Sequence, residues 1–172
     1  METKKSFNNI VLMFAALYAI LGILSMLIKS PTQNPKDPAM VAFGFVFLFL
    51  FIGLPVLAVW YYKKQGYAVT LGNAVKLGVL VGLLGGLLVG IYAYIYFAYI
   101  NPAAIDQVME LSRQILEEND MFDAEMVDKQ MEMTRKFFVP MQLIGQLFSG
   151  LLYGVIGGLL GGLFFKTPTE DY

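Results

Sequence analysis

From Lys76 to Asp106 the chain reads KLGVLVGLLGGLLVGIYAYIYFAYINPAAID, with 29 uncharged residues between the two charges. A helix needs roughly 20 apolar residues to cross a hydrocarbon core of about 30 Å. Three further intervals are of the same kind: 23 uncharged residues from Lys5 to Lys29, 25 from Asp37 to Lys63, and 29 from Lys136 to Lys166. Apolar residues occupy every side of these segments, as in helices facing lipid. A transmembrane barrel would alternate in ten-residue segments instead. The expected fold class is therefore an all-α integral membrane protein, one membrane domain over residues 1–172, with spans near 7–28, 39–62, 77–100 and 141–165.

Composition agrees and excludes much else. Of 172 residues, 58% are hydrophobic and only 15% charged, with no cysteine and no histidine. Disulfides, zinc-finger sites, haem ligation, Cys nucleophiles and His general bases are thereby ruled out. No G-x-S-x-G or P-loop motif is present, so the chain is read as non-enzymatic and without a cofactor. A net charge of −1 offers no footprint for nucleic acid. No ionisable residue sits well inside a span, which argues against proton relays and ion-coupled transport. Lys76, at the start of the third span, can snorkel to the interface.

The first apolar run exceeds the roughly 7–15 residues of a signal-peptide core and lacks a small-x-small cleavage pattern, so it reads as a retained anchor. Six basic residues fall on the terminal side and six on the other. Three of the former are concentrated in the short 63–76 loop, which favours termini inside. Trp60, Tyr61 and Tyr62 at one helix end, and Tyr92, Tyr94, Tyr96 and Tyr99 at another, suit membrane interfaces. Pro55 after Gly53 is expected to kink the second helix.

Thirteen of the 17 glycines lie in 72–90 or 145–162, and 78–88 matches 154–164 at eight of eleven positions. Gly78, Gly82, Gly86 and Gly90 recur every four residues, as do Gly150, Gly154, Gly158 and Gly162. Stripes of small residues let membrane helices approach until backbones touch. An antiparallel pairing of Gly78 with Gly162, Gly82 with Gly158, Gly86 with Gly154 and Gly90 with Gly150 gives facing positions that add to 240. This glycine zipper is expected to be tightest in the half nearer the termini.

Residues 101–140 hold 13 of the 25 charges, and a structureless loop of that length is unusual. Asn101-Pro102 can start a helix in which Ile105, Val108, Met109, Ser112, Ile115 and Leu116 share a face. Asp123 can cap a second, with Met126, Val127, Gln130, Met131, Thr134, Phe137 and Phe138 on its apolar side. Pro140 then marks the start of the last span. The expectation is an extramembrane acidic α-helical hairpin between the third and fourth transmembrane helices. Asp120, Asp123, Glu125 and Asp128 lack EF-hand spacing and are read as capping and solvation, with no metal. Met109, Met121, Met126, Met131, Met133 and Met141 can pack the hairpin or form an adaptable binding face.

Two function classes follow. The first is docking of another membrane protein, or of a second copy in a homo-oligomer, through the hairpin or the glycine face. The second is a small channel, carrier or lipid-binding protein. In that reading Tyr92, Tyr96 and Tyr99 on the third helix and Gln142 and Gln146 on the fourth contact a ligand or lipid where bulky residues splay the helices. An exposed hydrophobic face on the hairpin favours the first, and a continuous polar-lined cavity the second.

The stretch QGYAVTLGNAVKLG, residues 65–78, resembles the G-G-Y-[IL]-[ST]-F-x-x-A-[FW]-K-x-G segment of a bacterial membrane family known as domain of unknown function 4199. The aromatic helix end 96–102, the acidic Met- and Glu-rich hairpin and the glycine-rich last helix are similar too. Leu71 stands where the family more often has an aromatic, and one glycine precedes Tyr67 instead of two. The resemblance implies four spans in a bacterial inner membrane, with the hairpin periplasmic or extracellular if the termini are cytoplasmic. It implies no activity and no catalytic residues.

Overall fold

The computed structural model describes residues 6–28, 37–117 and 123–167. Five α-helices make up the described chain: α1 (Phe7–Ile28), α2 (Pro38–Lys64), α3 (Leu71–Ile95), α4 (Ala103–Glu117) and α5 (Ala124–Phe165), with a π-helical turn over Tyr96–Ile100. Helices α1, α2, α3 and α5 are each long and apolar enough to span a membrane. Side-chain caps set three helix starts: Asp37 Oδ1 accepts from the Ala39 N–H at 2.9 Å, Thr70 Oγ1 from Asn73 at 3.2 Å, and Asp123 Oδ1 from Met126 at 2.8 Å. Gly66, with φ of 79°, closes α2 in the left-handed conformation that favours glycine.

Two boundaries depart from the expected spans. The third helix begins at Leu71, six residues before 77, because Thr70 caps it and Lys76 sits in its second turn. Lys76 Nζ lies 5.7 Å over the Phe7 ring at the membrane edge. More consequentially, Pro140 does not separate a hairpin helix from a membrane span: both belong to α5, 42 residues long. An interior proline costs about 3 kcal/mol and removes one hydrogen bond. Here packing on both sides holds the helix together, with Val127 buried above the proline and Gly150 below. At 1.5 Å per residue α5 is about 63 Å long, twice the hydrocarbon thickness.

The α3–α5 pair is the centre of the bundle. A Cβ built on Gly78 would strike the Gly154 carbonyl oxygen and lie 2.8 Å from the Gly158 Cα; one on Gly82 would strike the Gly150 carbonyl and lie 3.1 Å from the Gly154 Cα. Each glycine thus sits between two glycines of the facing helix. Gly78 is centred opposite position 156 and Gly82 opposite 152, so facing positions add to 234. The expected head-on pairing at 240 is therefore corrected by six residues, a slide of about 9 Å. Interlocking brings more backbone into contact than stacking glycine upon glycine. The chain ends fix the same alignment: the Val69 N–H donates to Thr167 Oγ1 at 2.9 Å, and the Thr167 N–H donates to the Val69 carbonyl at 3.0 Å.

Glycine doublets place the other two helices. Neighbouring residues on a helix point about 100° apart, so one member faces α3 or α5 and the other faces a third helix. A Cβ on Gly86 would lie 2.5 Å from the Gln146 carbonyl oxygen of α5, while one on Gly85 would lie 2.6 Å from the Tyr18 ring of α1. A Cβ on Gly158 would lie 2.8 Å from Val75 of α3, while one on Gly157 would lie 2.7 Å from the Pro55 ring of α2 and one on Gly161 2.8 Å from Val59. Phe51 of α2 completes the wedge, 4.8 Å from the Tyr18 ring and stacked on Tyr153 at 5.9 Å.

A methyl group is expected to act oppositely at two glycines of this fold. Gly82→Ala should lower stability by about 1–3 kcal/mol, because the Cβ meets backbone that cannot move independently. Gly145 of α5 has open space around its Cβ position, so Gly145→Ala should be neutral or gain about 0.5–1 kcal/mol. Thermal unfolding of both variants in one detergent measures the contrast.

Candidate functional site

The seam between α3 and α5 does not splay above the glycines. Gly90 packs on Leu143, and Phe97 packs edge-on to Phe138 with ring centroids 5.1 Å apart and planes at 84°. Positions 97 and 138 add to 235, so the glycine register continues through the aromatic pair. Sequence reading missed this contact, although the period 78, 82, 86, 90 runs on naturally to Ala93 and Phe97, both buried.

The residues of the Tyr/Gln constellation are placed individually. Tyr92 and Tyr96 stack on each other at 6.1 Å, and the Tyr96 hydroxyl accepts from Asn101 Nδ2 at 3.2 Å. Tyr99 is 74% exposed, because the π-helical turn breaks the 3.6-residue spacing that would align it with Tyr92 and Tyr96. Gln146 lies in the seam with its backbone carbonyl against Gly86. Gln142 borders a groove on α5 that none of the three tyrosines lines.

Beyond the seam, α4 runs antiparallel along the first half of α5. Arg113 Nη2 bonds Asp128 Oδ1 at 2.7 Å, Arg113 Nε bonds Glu117 Oε1 at 2.8 Å, and Arg135 Nη2 bonds Asp106 Oδ1 at 2.6 Å. Both cross-helix pairs add to 241, and the same register sets Asn101 opposite Pro140. The two legs therefore break regular α-helical hydrogen bonding at one level, through the π turn and Asn101-Pro102 in one and the proline in the other. Ala104, Met109 and Val127 are buried between them.

This hairpin has two unlike sides. One is the ion-pair ladder, where Asp106, Glu110, Arg113, Asp128, Glu132 and Arg135 line a polar cleft. The hydrogen bond that Arg113 donates to Glu117 and the charge of Asp128 hold the Arg113 guanidinium above its ordinary range. A cation with a raised pKa contributes fully below its unfolded value and loses that contribution only as pH rises through the folded one. Arg113 therefore keeps its charge, and its share of the ladder, throughout the neutral range. Among the described residues no group of carboxylates is arranged to hold a metal ion. Asp123 caps α5 and Asp128 pairs with Arg113; Asp120 and Met121 lie outside the described residues.

The other side is apolar. Met126, Met133, Phe137 and Met141 are 54%, 57%, 50% and 59% exposed. With Gln130 and Gln142 they border a groove of about 680 Å³ along α5. Lys129 forms one rim, and Lys136 reaches over the Phe137 ring at 5.7 Å.

Four apolar membrane-length helices and no strand among the described residues define an all-α multi-pass membrane protein. A sequence profile described as Protein of unknown function (DUF4199) matches residues 13–167, and the chain belongs to that family. No curated protein and no solved structure matches it.

The ladder should yield to salt and to arginine removal without disturbing the membrane bundle. Arg113→Ala combined with Arg135→Ala is expected to speed amide exchange several-fold in 103–117 while leaving 71–95 unchanged. Exposed pairs are individually weak, so either single variant should show a smaller effect. Hydrogen–deuterium exchange with mass detection resolves the two regions.

Proposed function

We propose that this chain is a non-enzymatic protein of a bacterial inner membrane that works by docking, with the hairpin of α4 and the first half of α5 as its docking surface. One observation carries the reading. Met126, Met133, Phe137 and Met141 form a continuous apolar face on the part of α5 that extends past a bilayer's thickness. Apolar patches left open to water are characteristic of interaction sites, and methionine adapts to varied partners.

The glycine faces, the other candidate surface, are taken up inside the bundle: Gly78, Gly82, Gly86 and Gly90 on α3 and Gly150, Gly154, Gly158 and Gly162 on α5 each face a neighbouring helix or its side chains. That leaves the hairpin to meet a partner. The channel reading draws no support from the α3–α5 seam, where backbones touch. The density of lysine in the 63–76 loop supports cytoplasmic termini and a periplasmic hairpin.

The chain contains no cysteine, so single cysteines report on the surface directly. In permeabilised native membranes a cysteine replacing Met133 should react with a maleimide several-fold more slowly than one replacing Glu110 on the ladder side. Detergent extraction should remove the difference. Equal rates in native membranes would mean that nothing covers the apolar face, and the docking reading would fail.

A further inference from the structure

The apolar face of the hairpin does not stop at the membrane. Met126, Gln130, Met133, Phe137, Met141, Ile144, Phe148 and Leu152 are all exposed on α5, at intervals of four, three, four, four, three, four and four residues. The mean spacing is about 3.7, near the eleven-residue repeat of about 3.67, so these residues form one continuous stripe that winds slowly round α5 in the sense of a right-handed supercoil. Its length is about 39 Å at 1.5 Å per residue. Lipid tails can cover Ile144, Phe148 and Leu152. They cannot reach Met126 and Met133, which lie beyond a hydrocarbon core of about 30 Å once the glycine-rich half of α5 is inside it.

From these facts we propose that the stripe is the interface of a parallel homodimer, α5 against α5 of a second copy. This rests on the docking reading and names its partner. Whatever covers the stripe must be apolar within the bilayer and remain apolar for the same distance outside it, and α5 itself has that profile. Two copies inserted in the same orientation are related by a twofold axis along the membrane normal, so every stripe residue meets its own counterpart. The sequence of the stripe suits such self-pairing. It carries no charge, and its one polar residue outside the bilayer level is Gln130, whose amide both donates and accepts and so can pair with its twin. A single polar residue in an apolar helix seam fixes alignment.

The flanks are compatible as well. Lys129 and Lys136 lie along one edge of the stripe, while the other edge leads to α4. A twofold axis sets the lysine edge of each copy beside the α4 edge of its mate, so the lysines of the two copies are kept apart. The charged ladder of Arg113, Asp128, Asp106 and Arg135 lies on the far side of each hairpin and stays in water. The glycine seam between α3 and α5 is untouched.

Single-cysteine variants of the full chain in lipid membranes test the proposal through disulfide formation with an added oxidant, since a disulfide needs Cα atoms within about 7 Å. Cysteines replacing Met133, Phe137, Ile144 and Phe148 should give covalent dimers several-fold more efficiently than cysteines replacing Glu110, Glu132 or Leu159. Native mass spectrometry from nanodiscs should count two copies of the unmodified chain. Monomers, with no positional pattern of cross-linking, would overturn the dimer. If Met133 is nonetheless shielded in native membranes, a different protein occupies the face and the docking reading survives. Cross-links that peak at Leu159 or on the ladder side would place the dimer interface elsewhere and overturn the assignment of the stripe.

Discussion

Everything in this bundle depends on two helix backbones lying against each other. Within a bilayer the hydrophobic effect does not drive helices together, because lipid tails are as apolar as leucine; van der Waals contact does, and it grows with closeness. Gly78, Gly82 and Gly86 of α3 interlock with Gly150 and Gly154 of α5, so that each chain fills the notch left by missing side chains in the other. The remaining helices are fitted to that pair. Gly85 takes the Tyr18 ring of α1, Gly22 of α1 takes Val89 of α3, and Gly157 and Gly161 take Pro55 and Val59 of α2. A doublet such as Gly157-Gly158 serves two neighbours at once.

Once the seam is set, the outer half follows. The same register carries Gly90 onto Leu143 and Phe97 onto Phe138. Beyond Phe97 the first leg changes alignment through a π-helical turn and Asn101-Pro102, while α5 continues unbroken through Pro140. The chain thereby keeps two helices together and resumes pairing in a new register, where Arg113 meets Asp128 and Arg135 meets Asp106. The acidic charge that marks this region in the sequence is sorted to one side. The sorting leaves methionine and phenylalanine exposed on the other.

The one-dimensional pattern made several features legible. Charge-free intervals announced four membrane helices, and their period of four announced that the glycines of α3 and α5 share faces. Asp123 was readable as a cap because its side chain needs only the N–H three residues on. What the pattern obscured was alignment between helices. The register depended on where α3 starts, and Thr70 starts it six residues ahead of the point suggested by the charge at Lys76. Gly85, Gly157 and Gly161 fall outside the two four-residue stripes, because their partners Tyr18, Pro55 and Val59 are on helices distant in the chain. Tyr92, Tyr96 and Tyr99 looked like one face because an α-helical period was assumed where the helix widens into a π turn.

By itself, then, the sequence determined the class of protein, the four spans, the acidic helical extension and the glycine faces. These follow from burying apolar residues in lipid and from local hydrogen bonding, both written along the chain. Only the tertiary structure decided that the glycines interlock at a sum of 234, that one helix of 42 residues runs through both the acidic stretch and the last span, and that Gln142 borders a groove lined by none of the three tyrosines. Those outcomes turn on steric fit between segments far apart in sequence. A proline that breaks an isolated helix stays within α5 when Phe97 and the α4 face pack on either side of it, and no local pattern records such support.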